Sequence, residues 1–407
     1  MDKKIKLSAN QCETWRDKLI IFAEFLFFLV AFNPDLKHLN YIWFPVVFLL
    51  VGSILLNKNQ TRATAYLKWR FLYLMLLWIS LIWSISLISA FSITISLLLI
   101  SISLMMIYIN ISNEDDIFKI INIMILALLV DGVYVVNEVG LMNYIGVPNL
   151  VYWAANSTSL RYALGLILIL VVYNKHYSRW GKIFLFVSAV VFLYVLIFSG
   201  SRGALLLLAV SFVSGIFIKK DRIAKKLFLF ISILIVFSIF IYLIMNNEML
   251  YQAIGRRFTK FFEAFEKGGL ENAEGNRIFY IRLGIEKFLE KPFWGYGSNS
   301  FILLNPQGVY SHNDYIDLLV EFGALGVFIY YGAYVYLIKN LTTISEHKIY
   351  HMEYFAGIIF GLLVFNMVAI TRNDICVQTI FMLMFAFIEF KNKKEISQTT
   401  QTNIKMR

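Results

Sequence analysis

Apolar runs of about twenty residues recur from one end of this chain to the other, and that feature constrains the fold more than any other. A helix needs about 20 apolar residues to cross the hydrocarbon of a bilayer. Runs lie at roughly 19–33, 39–56, 71–88, 91–111, 117–136, 160–174, 183–199, 203–218, 227–245, 314–338, 354–370 and 375–390. The expectation is an all-α, polytopic integral membrane bundle of about twelve transmembrane helices, packed as a single domain over 1–407. Composition agrees: 59% of residues are hydrophobic and the mean hydropathy is +0.69, above the soluble average. The first run follows a basic segment without a small-residue cleavage site, so it reads as a retained signal-anchor. Cys12 and Cys376 offer neither a disulfide framework nor metal-ligand spacing.

The net charge of +11 would suggest nucleic acid in a soluble protein. Its distribution says otherwise. With a cytoplasmic N-terminus, 25 of the 37 Lys and Arg fall in cytoplasmic segments. That bias follows the positive-inside rule and places both termini inside. The basic excess is therefore an orientation signal, with the bilayer as partner and no nucleic acid. A polar tail, 391–407, is cytoplasmic in this topology.

Two long segments fall on the outer side, 137–159 and 246–313, and are expected to form an external lid. Cytoplasmic loops are short and lack a Gly-rich phosphate loop, so no nucleotide site or other cofactor is expected. No internal repeat and no broken helix is legible, which argues against a transporter of lipid-linked sugar. In the larger loop, Ile254, Phe258, Phe261, Phe262 and Phe265 recur at helical spacing, as do Ile278, Ile281, Ile285, Phe288 and Leu289. Both stretches read as amphipathic helices on the membrane surface or capping the bundle. Pro292, Gly295 and Gly297 end the second.

Arginines at outer mouths of spans oppose the orientation bias. Arg202, in FSGSRGALLLL, stands in the first turn of a helix that Ser201 can cap. The helix dipole disfavours a cation there, whereas free N–H groups favour an anion. Arg202 is thus an anion-site candidate, or else snorkels or pairs with a glutamate. In SHNDYIDLLVEFGALGVFIYYG, Ser311 and Asp314 form a capping box that starts a helix near His312. His312, Ile316, Leu319, Gly323 and Gly326 share one stripe, and the glycines let another helix approach. A helix N-terminus lowers a histidine's pKa and leaves it able to accept a proton; a plain capping role is the other reading. Arg277 starts the second loop helix and Arg282 follows it; each is a phosphate ligand or a loop salt bridge. Asp131, within a span, is a functional candidate by its depth and could pair with Arg161 or Arg202. Arg161 and Arg372, at outer span ends, complete the candidates for substrate binding.

Three stretches in order resemble the O-antigen ligase and O-antigen or capsule polymerase family of bacterial membrane glycosyltransferases: SGSRGALLLL at 199–208, GNRIFYIRLGIEKFLEKPFWGYGSNSF at 275–301, and His312-Asn313 followed at fixed spacing by Gly323 and Gly326. The third fits H-[NSQ]-x9-G-x-x-[GTY] at every fixed position. Arg161 departs from the R-x10-G of some polymerases, since Gly165 follows it too soon. The resemblance implies a C-type-like, metal-independent glycosyltransferase in the bacterial inner (cytoplasmic) membrane, with its site on the outer face. Arg202, Arg277 and His312 take the catalytic positions, and Asn313 accompanies them. The implied donor is an undecaprenyl-pyrophosphate-linked oligosaccharide and the acceptor a glycan; a chain-length regulator is a further partner that the resemblance allows. Joining of repeat units is the favoured reaction, with transfer to lipid A core or protein as the alternative.

Overall fold

The computed structural model describes residues 2–33, 64–139, 155–173, 178–219, 221–344 and 352–405. Among these, the elements are helical: α1 Asp2–Phe32, α2 Ala65–Ser80, α3 Leu87–Asn110, α4 Glu114–Val139, α5 Ala155–Tyr173, α6 Arg179–Phe198, α7 Arg202–Ile218 and α8 Ile223–Asn246 form the first part. Then come α9 Arg256–Glu290, the short α10 Ser300–Leu304, α11 Asp314–Ile344, α12 Met352–Phe365 and α13 Ile375–Lys405. Eight of the described helices are long and apolar enough to span a bilayer, and the helices over Arg202–Ile218 and Glu353–Phe365 are shorter but apolar. The expected span 39–56 lies outside the described residues, as does most of 137–159. The tail expected at 391–407 continues α13 as helix to Lys405.

Some boundaries differ from expectation. The run 71–88 is not one helix: α2 tightens into a 3-10 turn over Leu81–Trp83 that ends at Ser84, and the Ser86 hydroxyl accepts from Ser89 N–H and starts α3. Arg70, expected in a cytoplasmic loop, is instead fully buried in α2. Its Nε donates to Ser101 Oγ at 2.8 Å and its Nη1 to Gln378 Oε1 at 2.5 Å, and it lies over the rings of Trp69 and Tyr73. Those groups replace the water it would otherwise need.

The core runs along α13, where every residue from Ile375 to Ile388 is buried, flanked by α4, α5 and α11. α7 and α12 pack closely together. A Cβ on Gly357 would meet Ser211 O at 2.3 Å, and one on Gly361 would meet Ser211 Oγ at 2.1 Å. Small residues give this approach its van der Waals contact, since apolarity alone does not drive helices together in lipid.

The region expected as amphipathic helices is helical, but its inward face differs. Ile254 and Tyr280 are buried, whereas Phe262, Phe265, Ile285 and Leu289 are exposed. Gly269, at φ +68°, divides α9 into two arms.

The stripe ending in Gly323 and Gly326 is not one continuous helix. Gly323 has φ 63° and ψ −158°, and breaks α11 nine residues in. The segment Pro292–Gly297 fills the break: Ala324 N–H donates to Pro292 O at 2.8 Å, Tyr296 N–H to Val320 O at 2.9 Å, and Gly297 N–H to Glu321 O at 2.8 Å. The loop thus satisfies backbone groups that the break releases. A Cβ at Gly323 would meet Phe293 and Pro292 backbone at 2.5–2.6 Å, and one at Gly295 would meet Val320 and Glu321 backbone at 2.5–2.6 Å. Gly323 therefore receives a loop rather than another helix.

Candidate active site

His312 sits in the turn before α11 with φ 58°, a conformation that non-glycine residues seldom adopt. Neighbours fix the turn. Ser311 Oγ accepts from Asn313 N–H at 3.0 Å, and Ser311 N–H donates to Asp317 Oδ1 at 3.1 Å. The capping residue is Asn313, not the expected Ser311–Asp314 box: Asn313 Oδ1 accepts from Tyr315 N–H at 3.1 Å and Ile316 N–H at 3.2 Å. Asp314 is free of capping duty because Thr371 and Arg372 already bind its carboxylate.

The His312 ring is half-buried between two tyrosines. Its centroid is 4.2 Å from that of Tyr310 and 6.3 Å from that of Tyr280. Nδ1 is buried and has no hydrogen-bond partner among the described residues. Burial lowers the imidazole's pKa, and the positive charge of Arg277 lowers it further. The expected direction holds, but solvent exclusion and Arg277 cause it. Arg277 acts on Tyr310 as well, opposing the rise that burial and Asp317 impose on the phenol. Arg277, His312, Tyr310 and Tyr280 therefore form one group.

Arg202 opens α7, and Ser201 caps that helix by accepting from Ala204 N–H at 3.3 Å. The guanidinium carbon lies 4.9 Å from the centre of the Phe261 ring, on the first arm of α9. Ser201 Oγ also donates to Asn156 Oδ1 at 2.9 Å. Asn156 and Tyr310 both line a cavity of about 1620 Å³. One wall is apolar, with Leu87, Ile88, Phe91, Ile95 and Leu99 of α3; polar groups at the other side include Asn156, Arg161 and Asp374. The Arg202 turn and the His312 group thus each border this cavity through an immediate neighbour.

The remaining candidates divide. Arg161 lines the cavity, but its Nε bonds Asp374 Oδ2 at 3.1 Å and its Nη1 donates to Phe32 O at 2.7 Å. Asp131 accepts from Tyr162 Oη at 2.7 Å, and its charge also favours the Arg161 cation, while Asp374 bonds that guanidinium directly. Arg282 is exposed on α9. Arg372 is 3% exposed and forks onto Asp314 Oδ1 at 2.6 Å and Glu321 Oε2 at 2.8 Å. Burial opposes its charge, and Glu321 and Asp314 more than offset that. Sequence reasoning read Asp314 only as a cap and missed Glu321, Asp317, Asp374 and Tyr280. Asp314, Asp317 and Glu321 recur at helical spacing inside an apolar run, and acids at such depth are a legible signal.

Residues 187–331 match the family model for O-antigen ligase. That match supports the O-antigen ligase and polymerase family for this segment. The matched segment runs from α6 into α11 and contains Arg202, Arg277 and His312, whereas Asp131, Arg161 and Arg372 lie outside it. No curated protein matches the chain. The match and the apolar helices together support a glycan-transferring enzyme of a bacterial membrane.

Proposed function

We propose that the protein polymerises polysaccharide repeat units, moving a growing glycan from undecaprenyl pyrophosphate to a hydroxyl of another lipid-linked unit. The observation that carries this reading is His312, half-buried beside Arg277 and next to Tyr310 at the wall of a large, mainly apolar cavity. The apolar wall along α3 suits an isoprenoid chain, and polar groups lie where a head group would sit. Arg277 and Arg202 bind the pyrophosphate, and their bonds strengthen as its charge grows on cleavage. The His312 imidazole accepts the proton of the acceptor hydroxyl, a contribution of about 10²–10⁴ in rate. The hydroxyl oxygen attacks the anomeric carbon, the bond to the pyrophosphate oxygen breaks, and a single displacement inverts the centre. Cleavage of the lipid pyrophosphate drives the step without metal or nucleotide; strong inhibition of purified enzyme by a chelator would overturn the metal-free part.

The site lies on the outer face of the cytoplasmic membrane, with both termini inside, as the Lys and Arg distribution directs. A ligase that transfers to lipid A core or protein is the alternative, and it shares the same family match. Incubation with a purified lipid-linked repeat unit alone separates the two. A ladder of products supports polymerisation; transfer only after lipid A core is added assigns ligation. The transporter reading gains one feature, the broken α11, but the loop Pro292–Gly297 occupies that break.

A further inference from the structure

We propose that Arg372 is a positioning residue for His312: its guanidinium forks onto Asp314 and Glu321 and thereby fixes the turn that presents the imidazole. The inference rests on the reading of His312 as the base. The strained residue needs support from both sides, because an isolated αL histidine would relax. On one side, Asp317 Oδ1 accepts from Ser311 N–H at 3.1 Å. On the other, Asp314 N–H donates to Asn366 O at 2.8 Å, and its Oδ2 accepts from Thr371 N–H and Arg372 N–H at 3.4 and 3.2 Å.

Asp314, Asp317 and Glu321 are all buried and share one face of the first leg of α11. Three carboxylates in a low-dielectric setting repel one another. Arg372 lies within ion-pair distance of two of them, and it comes from the loop between α12 and α13. Gln378 Nε2 in turn donates to Arg372 O, so the loop is itself anchored to α13. Glu321 lies two residues before the break at Gly323, and its carbonyl accepts from Gly297 N–H at 2.8 Å. One guanidinium therefore joins the His312 turn, the broken helix and the loop. Its planar fork matters, because a lysine cannot span two carboxylates with the same geometry. Both ends of the fork are occupied by carboxylates, so Arg372 acts through His312 rather than on phosphate.

The test uses the full chain in detergent or nanodiscs. Arg372→Lys should lower kcat with a lipid-linked donor by about ten- to a hundredfold, as misplaced groups do, with the donor KM nearly unchanged. On substrate-free protein, the pH dependence of diethylpyrocarbonate modification at His312, read by peptide mass spectrometry, should shift upward as the ring leaves its place between Tyr310, Tyr280 and Arg277, above Asp317. Glu321→Gln keeps the Asp314 arm and should shift both readouts the same way by less; it carries the test if Arg372→Lys does not fold. Unchanged His312 titration in a folded variant, or a raised KM with unchanged kcat, would overturn the positioning role. Activity of His312→Ala tests the base reading separately, since the titration does not depend on turnover.

Discussion

Arg372 and Arg202 occupy one neighbourhood, yet the fold treats them differently. Gly203, next to Arg202, packs on Phe365 and Val368, a few residues before Arg372. Arg372 is buried, with Asp314 and Glu321 on its fork. Arg202 is half-buried at a helix start, with its guanidinium over the Phe261 ring of α9. Both opposed the orientation bias of the sequence, so charge and depth alone could not distinguish them. The lesson is that an arginine at a span mouth is assigned by what fills its fork.

The sharpest test of that division sets activity against stability. His312→Ala should cost about 10²–10⁴ in turnover with little change in thermal stability, because general-base contributions have that size; near-normal polymer or ligation product would remove the histidine from the chemistry. Arg202→Ala should lose about 10²–10³ in kcat, the scale of a lost transition-state donor, and Arg202→Lys should be nearly as poor. Full activity in the lysine variant would reduce Arg202 to a point charge. Arg372→Gln should do the reverse in a melting experiment, costing about 3–5 kcal/mol as a broken buried pair does; a melting temperature equal to wild type would dissolve the comparison. Gly323→Ala should destabilise by about 1–3 kcal/mol through its positive φ and the adjacent Pro292 and Phe293 backbone.

The smallest effect concerns pH. His312 must be unprotonated to accept a proton, and burial and Arg277 both favour that form. The acid limb of the rate should therefore lie below the ordinary histidine value of about 6.5. Arg277→Gln removes a like charge, so the limb of its residual activity should move upward. A downward shift or none would contradict the electrostatic pairing.

Helix existence was legible because each span must contain enough apolar residues to cross hydrocarbon. Boundaries were less so: Ser84 and Ser86 read as part of an apolar run, while the structure uses them to end one helix and start another. Burial was not legible from apolarity. α8 is the most apolar of the candidate spans among the described residues, yet only Ile244 is buried along it, whereas the buried part of α13 carries Gln378 and Thr379. Lipid solvates apolar surface as well as protein does, so polar contacts and small residues select the inner helices.

His312, Arg202 and Arg277 were visible as residue types at element ends with a recognisable spacing. Their neighbours were not, because Tyr280 lies 32 residues from His312 and Phe261 59 residues from Arg202 in sequence. The sequence by itself determined that this chain is a helical membrane protein with polar groups at the mouths of its spans. Only the tertiary structure decided that Asn313 caps α11, that Gly323 breaks it, and that Arg372 binds carboxylates. The physical reason is that spans follow from local apolarity, whereas the partner of a buried charge follows from which distant segment packing brings beside it.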